Sequence, residues 1–284
     1  MVISQQKVKF GLLLPTGGPF KDPQTMAEIA KLSEDAGWDG IFLWDSIGPS
    51  AVDVWIALAA ISIKTEKIKL GNMVTAVARR RPWKLAKEAV AIDQLSKGRL
   101  IFGAGLGDDA VFAPFGEDTN KIIRAQKLDE GLKLLNKIWS GEKVDFEGQH
   151  YQVKNVQYSK PIQEPRIPIW LGGLWPAKGP FKRAAKWDGM MPHTIRSARD
   201  VSARLSVDEV KEIMKLIENH RSEPMDTFQL AMLSHTPEDH VGAAAVIEPY
   251  IDHGMKWWVE STFEWRIPYD QALERIKKGP VSIR

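Results

Sequence analysis

The sequence predicts an α/β fold, a single (β/α)8 TIM barrel, and three observations support this. Apolar segments rich in β-branched residues alternate with amphipathic segments along almost the whole chain, which is typical of parallel βα units. About eight such units can be counted, the number that closes a barrel. The 284 residues fit one large barrel, and no linker or low-complexity run divides them. We therefore expect residues 1–284 to form one domain.

The first four strands are short apolar runs, each followed by a helix with marked ends. Asp22 and Pro23 form the cap and first turn of the first helix, Gly37 ends it, and Pro82 opens the third helix. The fourth helix is long and carries leucines on one face. The predicted strands are 8–14, 41–44, 68–75 and 100–104, and the predicted helices are 24–36, 54–63, 83–95 and 121–139.

Residues 140–168 interrupt the alternation because turn-forming residues recur in them. We expect an excursion with short strands here, between the fourth and fifth barrel strands. The alternation then resumes. The predicted strands are 169–172, 189–191, 228–233 and 257–260, and the predicted helices are 181–187, 207–220, 238–253 and 269–278.

Composition excludes several classes of function. Thirty-nine basic and 36 acidic residues give a formal charge of +3, which argues against a nucleic-acid partner, and we interpret the run Arg79-Arg80-Arg81 as a solvated loop. The absence of cysteine excludes disulfides and thiolate nucleophiles. The longest apolar stretch, 54–63, is too short for a membrane span, and no leader is visible. We expect a cytoplasmic protein with no membrane partner.

Reacting groups in such barrels lie where the strands end, and this rule selects a short set of candidates. Asp45 and Asp108 are candidate acid–base residues, with loop capping as the alternative for both. Gly172 and Gly173 precede a helix start with basic residues, where a phosphate could bind. The basic residues at that helix start include Lys178 and Lys182. The further strand-end candidates are Pro15 to Gly18, Ser46, Asn72 to Thr75, Gly105 to Asp109, Leu174, Trp175, His193 and Glu260 to Thr262.

The glycines Gly103, Gly105 and Gly107 do not have the spacing of a dinucleotide fingerprint. We interpret them as sites where backbone approaches a flat ligand, with a tight turn as the alternative. The six histidines lack metal-ligand spacing, so no metal is predicted. A barrel without metal or nucleophile, but with phosphate-binding features and 11 tryptophans, is a candidate for a flavin-like cofactor.

Four segments resemble the luciferase-like monooxygenase superfamily of flavin- and deazaflavin-dependent barrels. They are LSEDAGWDGIFLWD (32–45), KIKLGNMVTAVARRRPWKLAKEAVAIDQLSKGRLIFGAGLG (67–107), KLDEGLKLLNKIWSGEKVDFEGQHY (127–151), and IPIWLGG with RAAKWDG (within 167–189). The resemblance implies a barrel that holds FMN or F420 at the carboxyl ends of its strands.

The resemblance also implies roles for individual residues. Thr75 and the Met73-Val74 segment match positions against the cofactor ring, with a cis peptide expected at Met73-Val74. Asp45 matches an acidic residue that lines the pocket. Together with Gly105 from the glycine pattern, the predicted cofactor-binding residues are Asn72, Met73, Val74, Thr75, Gly105, Gly172, Gly173, Lys178 and Lys182.

Three positions depart from the patterns of the superfamily. Ser46 stands where many F420-dependent relatives have histidine, so a base is missing there. Asp108 stands where sugar-phosphate-oxidising relatives place a glutamate. Leu106 stands where light-emitting relatives have a phosphate-binding arginine.

We predict a flavin-dependent monooxygenase that uses reduced FMN and O2 on a small or medium apolar organic substrate. A separate reductase would supply the reduced flavin, and the resemblance permits a homodimer. The alternative within the superfamily is an F420-dependent oxidoreductase, in which a hydride passes at C5 without oxygen. Alternatives of other classes are a noncatalytic flavin-binding barrel and a glycosidase using carboxylates such as Asp108 and Glu260.

Overall fold

The computed structural model describes residues 8–48, 51–198, 200, 203–237, 239–264 and 266–283. The strands are β1 Lys9–Leu14, β2 Gly40–Leu43, β3 Lys69–Asn72, β4 Thr75–Ala76, β5 Leu100–Gly105, β6 Val144–Glu147, β7 Gln152–Val156, β8 Ile169–Trp175, β9 Gly189–Thr194, β10 Gln229–Ser234 and β11 Met255–Ser261. The helices are α1 Pro23–Asp35, α2 Val54–Lys64, α3 Pro82–Leu95, α4 Asp109–Phe112, α5 Lys121–Ile138, α6 Lys178–Ala184, α7 Val207–Glu218, α8 His240–Ile251 and α9 Tyr269–Lys278.

The predicted (β/α)8 fold class is confirmed. Counted with β3 and β4 as one interrupted strand, eight parallel strands alternate with helices, and β6 and β7 form a separate antiparallel pair in the predicted excursion. Helix α6 begins earlier than predicted, at Lys178, with Pro180 in its first turn. Proline is tolerated there because the backbone N–H groups of the first turn have no acceptor within the helix. The predicted start of the seventh helix, residue 238, lies outside the described residues, and the corresponding helix is α8.

The chain contains two compact units. Unit 1 comprises 1–14, 32–42 and 170–284, and unit 2 comprises 15–31 and 43–169.

In unit 1, the strands follow the order β2-β1-β11-β10-β9-β8. One face of this sheet carries a cluster of rings, Phe42, Trp170 and Trp257, with ring centroids 5.5–6.0 Å apart. Gly40 is required beside it, because a Cβ there would lie 2.8 Å from the Trp257 ring. The other face meets helices, as Trp258 does when it contacts Tyr250 of α8. Successive side chains of a strand point to opposite faces of the sheet. One face therefore forms an aromatic interior, and the other is covered by helices.

In unit 2, a buried arginine joins the ends of several elements. Arg99 donates five hydrogen bonds of 2.6–2.9 Å, to the carbonyls of Ser62, Thr65, Ile68 and Ser96 and to the Thr65 hydroxyl. These acceptors include carbonyls at the end of α2, which have no partner inside the helix. Arg99 thus fixes the end of α2 against the start of β3 and β5.

Two carboxylates, one on α3 and one on α5, hold the excursion in place within unit 2. Glu130 of α5 accepts hydrogen bonds from the backbone N–H groups of His150 and Tyr151, and buried Asp93 accepts from those of Ile162 and Gln163. Burial and the Glu130 charge raise the pKa of Tyr151 to about 12. Among the described residues, no helix is both long and apolar enough to cross a membrane.

Candidate active site

A bulge interrupts the third barrel strand at its carboxyl end. The register with β5 pairs Gly71 with Ile101 and then Thr75 with Ala104, so three residues of the third strand oppose two of β5. Within this bulge the Met73-Val74 peptide bond is cis, as predicted. The bulge lies where the active sites of (β/α)8 enzymes are built.

The Asn72 side chain bridges the gap that the bulge opens. Its Nδ2 donates to the Gly103 carbonyl, and its Oδ1 accepts from the Gly103 N–H at 3.2 Å. The primary amide therefore stands in for the missing peptide group of the neighbouring strand. Asn72 is fully buried, so these bonds satisfy groups that water does not reach.

The glycines of β5 are required by the bulge itself. A Cβ on Gly103 would lie 1.9 Å from the Asn72 carbonyl oxygen, and a Cβ on Gly105 would lie 2.2 Å from Val74 Cγ2. Gly107 has a φ of +79°, which favours glycine. From the sequence, we interpret these glycines as places where the backbone comes close to a flat ligand. Within unit 2, the group that lies close to Gly103 and Gly105 is the bulge of the third strand.

Asp45 forms a buried ion cluster with two arginines. Its carboxylate accepts a hydrogen bond from Thr75 Oγ1 at 2.7 Å and pairs with Arg79 Nη2 at 2.9 Å and Arg80 Nη2 at 3.1 Å. The Asp45 side chain is only 2% exposed. The structure thus brings two of the predicted site residues, Asp45 and Thr75, into direct contact.

The interpretation of the basic run as a solvated loop is wrong for two of its members. The side chains of Arg79 and Arg80 are 9% and 18% exposed, because Asp45 draws both towards the interior of unit 2. Within the described residues, the buried Nε of each guanidinium has no hydrogen-bond partner. Charge pairing between Asp45 and residues more than 30 positions away leaves no local pattern in the sequence.

Asp108 occupies an exposed helix cap, the alternative weighed from the sequence. Its carboxylate accepts from the Ala110 N–H at 3.0 Å at the start of α4. Next to it, Asp109 pairs with Lys121 and with buried Arg124, and these two cations lower the pKa of Asp109. A role for Asp108 as a proton donor stays a prediction.

In unit 1, the two predicted phosphate-binding glycines face opposite sides of the sheet. Gly173 faces α6, because a Cβ there would lie 2.6 Å from Pro180 Cβ, whereas Gly172 lies on the side of Trp170. Lys178 begins α6 and Lys182 lies in its last turn, and both are exposed. Within the described residues neither lysine has a charge or hydrogen-bond partner.

His193 lies near the carboxyl end of β9, beside Leu174 of β8. Burial, and then the nearby charge of Arg266, lower the pKa of His193 to about 4. The ring is therefore neutral at physiological pH. The strand-end rule selected His193, although the predicted catalytic residues did not include it.

Glu260 is fully engaged by neighbouring side chains. Arg275 donates to both of its oxygens at 2.6 and 3.0 Å, and the Thr236 hydroxyl donates to Oε1 at 2.5 Å. Glu260 lies two residues after Trp258 in β11, so both side chains point to the helix-covered face of the sheet. This position gives no support to the glycosidase alternative. Among the described residues, no three histidine, aspartate or glutamate side chains are grouped as metal ligands.

The chain belongs to the luciferase-like monooxygenase family, whose model matches residues 8–277. It is an oxidoreductase of that family, so the noncatalytic and glycosidase alternatives are not supported.

Three further proteins show similarity. The F420-dependent glucose-6-phosphate dehydrogenase of Microbacterium testaceum is 30% identical over 164 residues, 55% of this chain and 48% of that protein, so the match spans about half of the relative. The enzyme of the same name from Nocardia farcinica is 27% identical over 292 residues, 90% of this chain and 84% of its own length. The F420-dependent tetrahydromethanopterin reductase of Methanopyrus kandleri shares the fold, with a TM-score of 0.77, 17% identity and coverage of 96% and 98% of the two chains.

We predict that Asn72→Ala destabilises the protein. The substitution leaves the Gly103 N–H and C=O unpaired in the core, which should lower the free energy of unfolding by about 2–4 kcal/mol. Urea denaturation measures this loss. Asn219→Ala, at an exposed helix end, is the control and should change stability by less than about 0.5 kcal/mol. Equal stability of the two variants would contradict the bridging role.

Asp45→Asn should lower stability by about 3 kcal/mol, because it leaves two largely buried guanidinium groups without an anion. Adding Arg80→Met should recover part of the loss, and a double-mutant cycle measures this coupling. Exposed Asp226→Asn is the control. A variant with native stability but no turnover would instead identify Asp45 as an acid–base residue.

His193 should make stability depend on pH. Its pKa is about 4 in the folded protein against an ordinary value of 6.5, so the unfolded chain takes up the proton first. The stabilisation is complete above pH 6.5 and is lost as the pH falls towards 4, by at most about 3 kcal/mol. In urea titrations the wild type should therefore lose stability relative to His193→Gln as the pH falls through this window. The same pH dependence in both proteins would rule the assignment out, and exposed His220→Gln is the control.

Proposed function

We propose that this protein is an F420-dependent oxidoreductase that transfers a hydride between C5 of the deazaflavin and a hydroxyl-bearing carbon of a small, largely apolar substrate. The observation that carries the proposal is the family match together with curated relatives named as F420-dependent dehydrogenases. FMN, the main cofactor predicted from the sequence, is less well supported. The separate flavin reductase belongs to that FMN mechanism.

Features of unit 2 fit a cofactor of this kind. The cis Met73-Val74 bulge is kept at a strand end by a fully buried amide and two glycines, at the position that the resemblance assigns to the cofactor ring. The Nε–H groups of Arg79 and Arg80 are buried donors without a partner in the described chain. Buried donors normally have acceptors, so an anionic or carbonyl group of a ligand would complete them.

The environment of Leu106 does not favour FMN. A cation would be needed there to hold the FMN phosphate, and the nearby guanidinium is that of Arg124, which donates to the Leu106 carbonyl at 3.4 Å. Arg124 and Lys121 both pair with Asp109, and the adjacent carboxylate of Asp108 brings a second negative charge to balance these two cations. This position therefore offers little net positive charge to a phosphate.

Taken by itself, unit 1 offers cationic side chains to an anionic group and an exposed apolar side chain. Lys178 and Lys182 offer two exposed ammonium groups near the glycine turn. Leu174, at the end of β8, is 51% exposed and offers apolar surface. When bound, F420 supplies the hydride acceptor at C5, and the protein binds it, orients the substrate and accepts the hydroxyl proton.

Two measurements test the proposal. Fluorescence titrations should give tighter binding of F420 than of FMN. Mixing the protein with F420 and a hydride donor should then bleach the deazaflavin absorbance without oxygen. Propan-2-ol, cyclohexanol and glucose 6-phosphate are the donors. Binding of FMN alone, with oxygen-dependent turnover of reduced FMN, would overturn the proposal in favour of the monooxygenase.

Charge reversal tests the predicted phosphate turn. Lys178→Glu and Lys182→Glu should each weaken F420 binding about tenfold, equivalent to about 1.4 kcal/mol. Lys186→Glu is the matched control, because Lys186 is exposed but lies beyond the end of α6. Gly173→Glu is a poorer test, because any Cβ there collides with Pro180. Unchanged affinity in both lysine variants would remove α6 from the binding site.

A further inference from the structure

His193 stands on the interior face of the unit 1 sheet. Side chains alternate along a strand, and paired residues of parallel strands lie on the same face, so His193 shares a face with Met191 and with Leu174 of β8. Trp170, four residues before Leu174, lies on this face too, in the aromatic cluster. The interior face of unit 1 therefore carries the aromatic cluster and, nearer the carboxyl end of the sheet, His193.

The surroundings of His193 are open and mostly apolar. Its neighbour Leu174 is 51% exposed, so the space above this end of the face is accessible. His193 itself is partly exposed, and neither ring nitrogen has a hydrogen-bond partner among the described residues. A buried structural histidine normally has such a partner. An unpaired imidazole at an open strand end is available to a ligand.

The charged groups near His193 favour a neutral ring. Arg266, which follows β11, acts on it electrostatically, and Asp200 lies near Arg266. From β8 the paired neighbour is Leu174, which carries no charge. Glu260 of β11 lies on the opposite face and is neutralised by Arg275. The imidazole is therefore neutral and keeps an unprotonated nitrogen, which can accept a proton once negative charge develops beside it.

We propose that His193 is the catalytic base that takes the hydroxyl proton of the substrate. This inference rests on the proposed function. With F420 bound, the cofactor would accept the hydride that leaves the substrate carbon as its C–H bond breaks, and the O–H proton would move to an imidazole nitrogen of His193. The products are the carbonyl compound, the reduced deazaflavin and an imidazolium, which returns its proton to water. Negative charge that develops on the substrate oxygen favours the protonated ring and opposes the effect of Arg266.

The other titratable candidates are less suited to this step. Asp45 is held by Thr75 and two guanidinium groups, and Asp108 is an exposed helix cap. Ser46 stands where a histidine is found in many relatives with F420, so the sequence lacks a base after β2. His193 has the side chain that most often serves as a general base.

Kinetics of His193→Gln and His193→Ala test the assignment. With F420 and whichever of cyclohexanol, propan-2-ol or glucose 6-phosphate the wild type oxidises, both variants should lose about 100- to 10,000-fold in kcat with little change in KM. Imidazole added to His193→Ala should restore part of the rate. His220→Gln, at an exposed helix end, should behave as the wild type. A kcat within threefold of the wild type, or a loss confined to KM, would overturn the inference.

Chemical modification supplies a readout that does not depend on turnover. Diethyl pyrocarbonate should carbethoxylate His193 in the free protein, as detected by mass spectrometry of its peptide, and F420 together with the alcohol should protect it. Modification at the same rate with and without these ligands would contradict a place for His193 in the site.

F420 titration distinguishes failure of this inference from failure of the proposed function. Variants that bind F420 normally and turn over normally overturn only the base. A wild-type protein that does not bind F420, or that binds it but oxidises none of the donors, overturns the proposed function and the base with it.

Discussion

The hydrogen bonds between the Asn72 amide and the Gly103 backbone hold the third barrel strand to β5 across the bulge. Without them, the extra residue would leave two peptide groups unpaired in a part of the core that water does not reach. The bulge in turn places Thr75 where its hydroxyl donates to Asp45. Asp45 then draws Arg79 and Arg80 inwards, so the ion cluster of unit 2 depends on one side-chain amide.

Much of the fold could be predicted from the sequence, because the alternation of apolar and amphipathic segments is a local property. Helix α9 was predicted with its observed bounds, and Asp22 caps α1 as expected. The division of the predicted strand 68–75 into β3 and β4 leaves no mark in the hydrophobicity pattern. Except for half-buried Val74, the residues of 71–75 are buried, as they are in a regular core strand. The cis peptide was expected only because the segment resembles a known family.

The candidate site was harder to predict, because its chemistry depends on which face of a strand a residue occupies. Asp45 and Glu260 both lie at or just beyond the ends of strands, and both turn out to be bound to arginine. Their partners, Arg79 and Arg80 for one and Arg275 for the other, are set by register and by helix position rather than by spacing in the sequence. His193 followed from the strand-end rule, but its unpaired ring and neutral state required coordinates.

The pairing of β1 with β11 has a consequence for synthesis on the ribosome. Lys9 pairs with Trp257, so one of the two neighbours of β1 lies in a much later segment of the chain. Unit 1 therefore waits for nearly the whole chain, whereas almost all of unit 2 has been translated once residue 169 appears. Its long-range pairings make unit 1 the slower part to fold. During that interval the edge of β1 that later pairs with β11 has no partner, and an open apolar edge of this kind is what chaperones shield from aggregation.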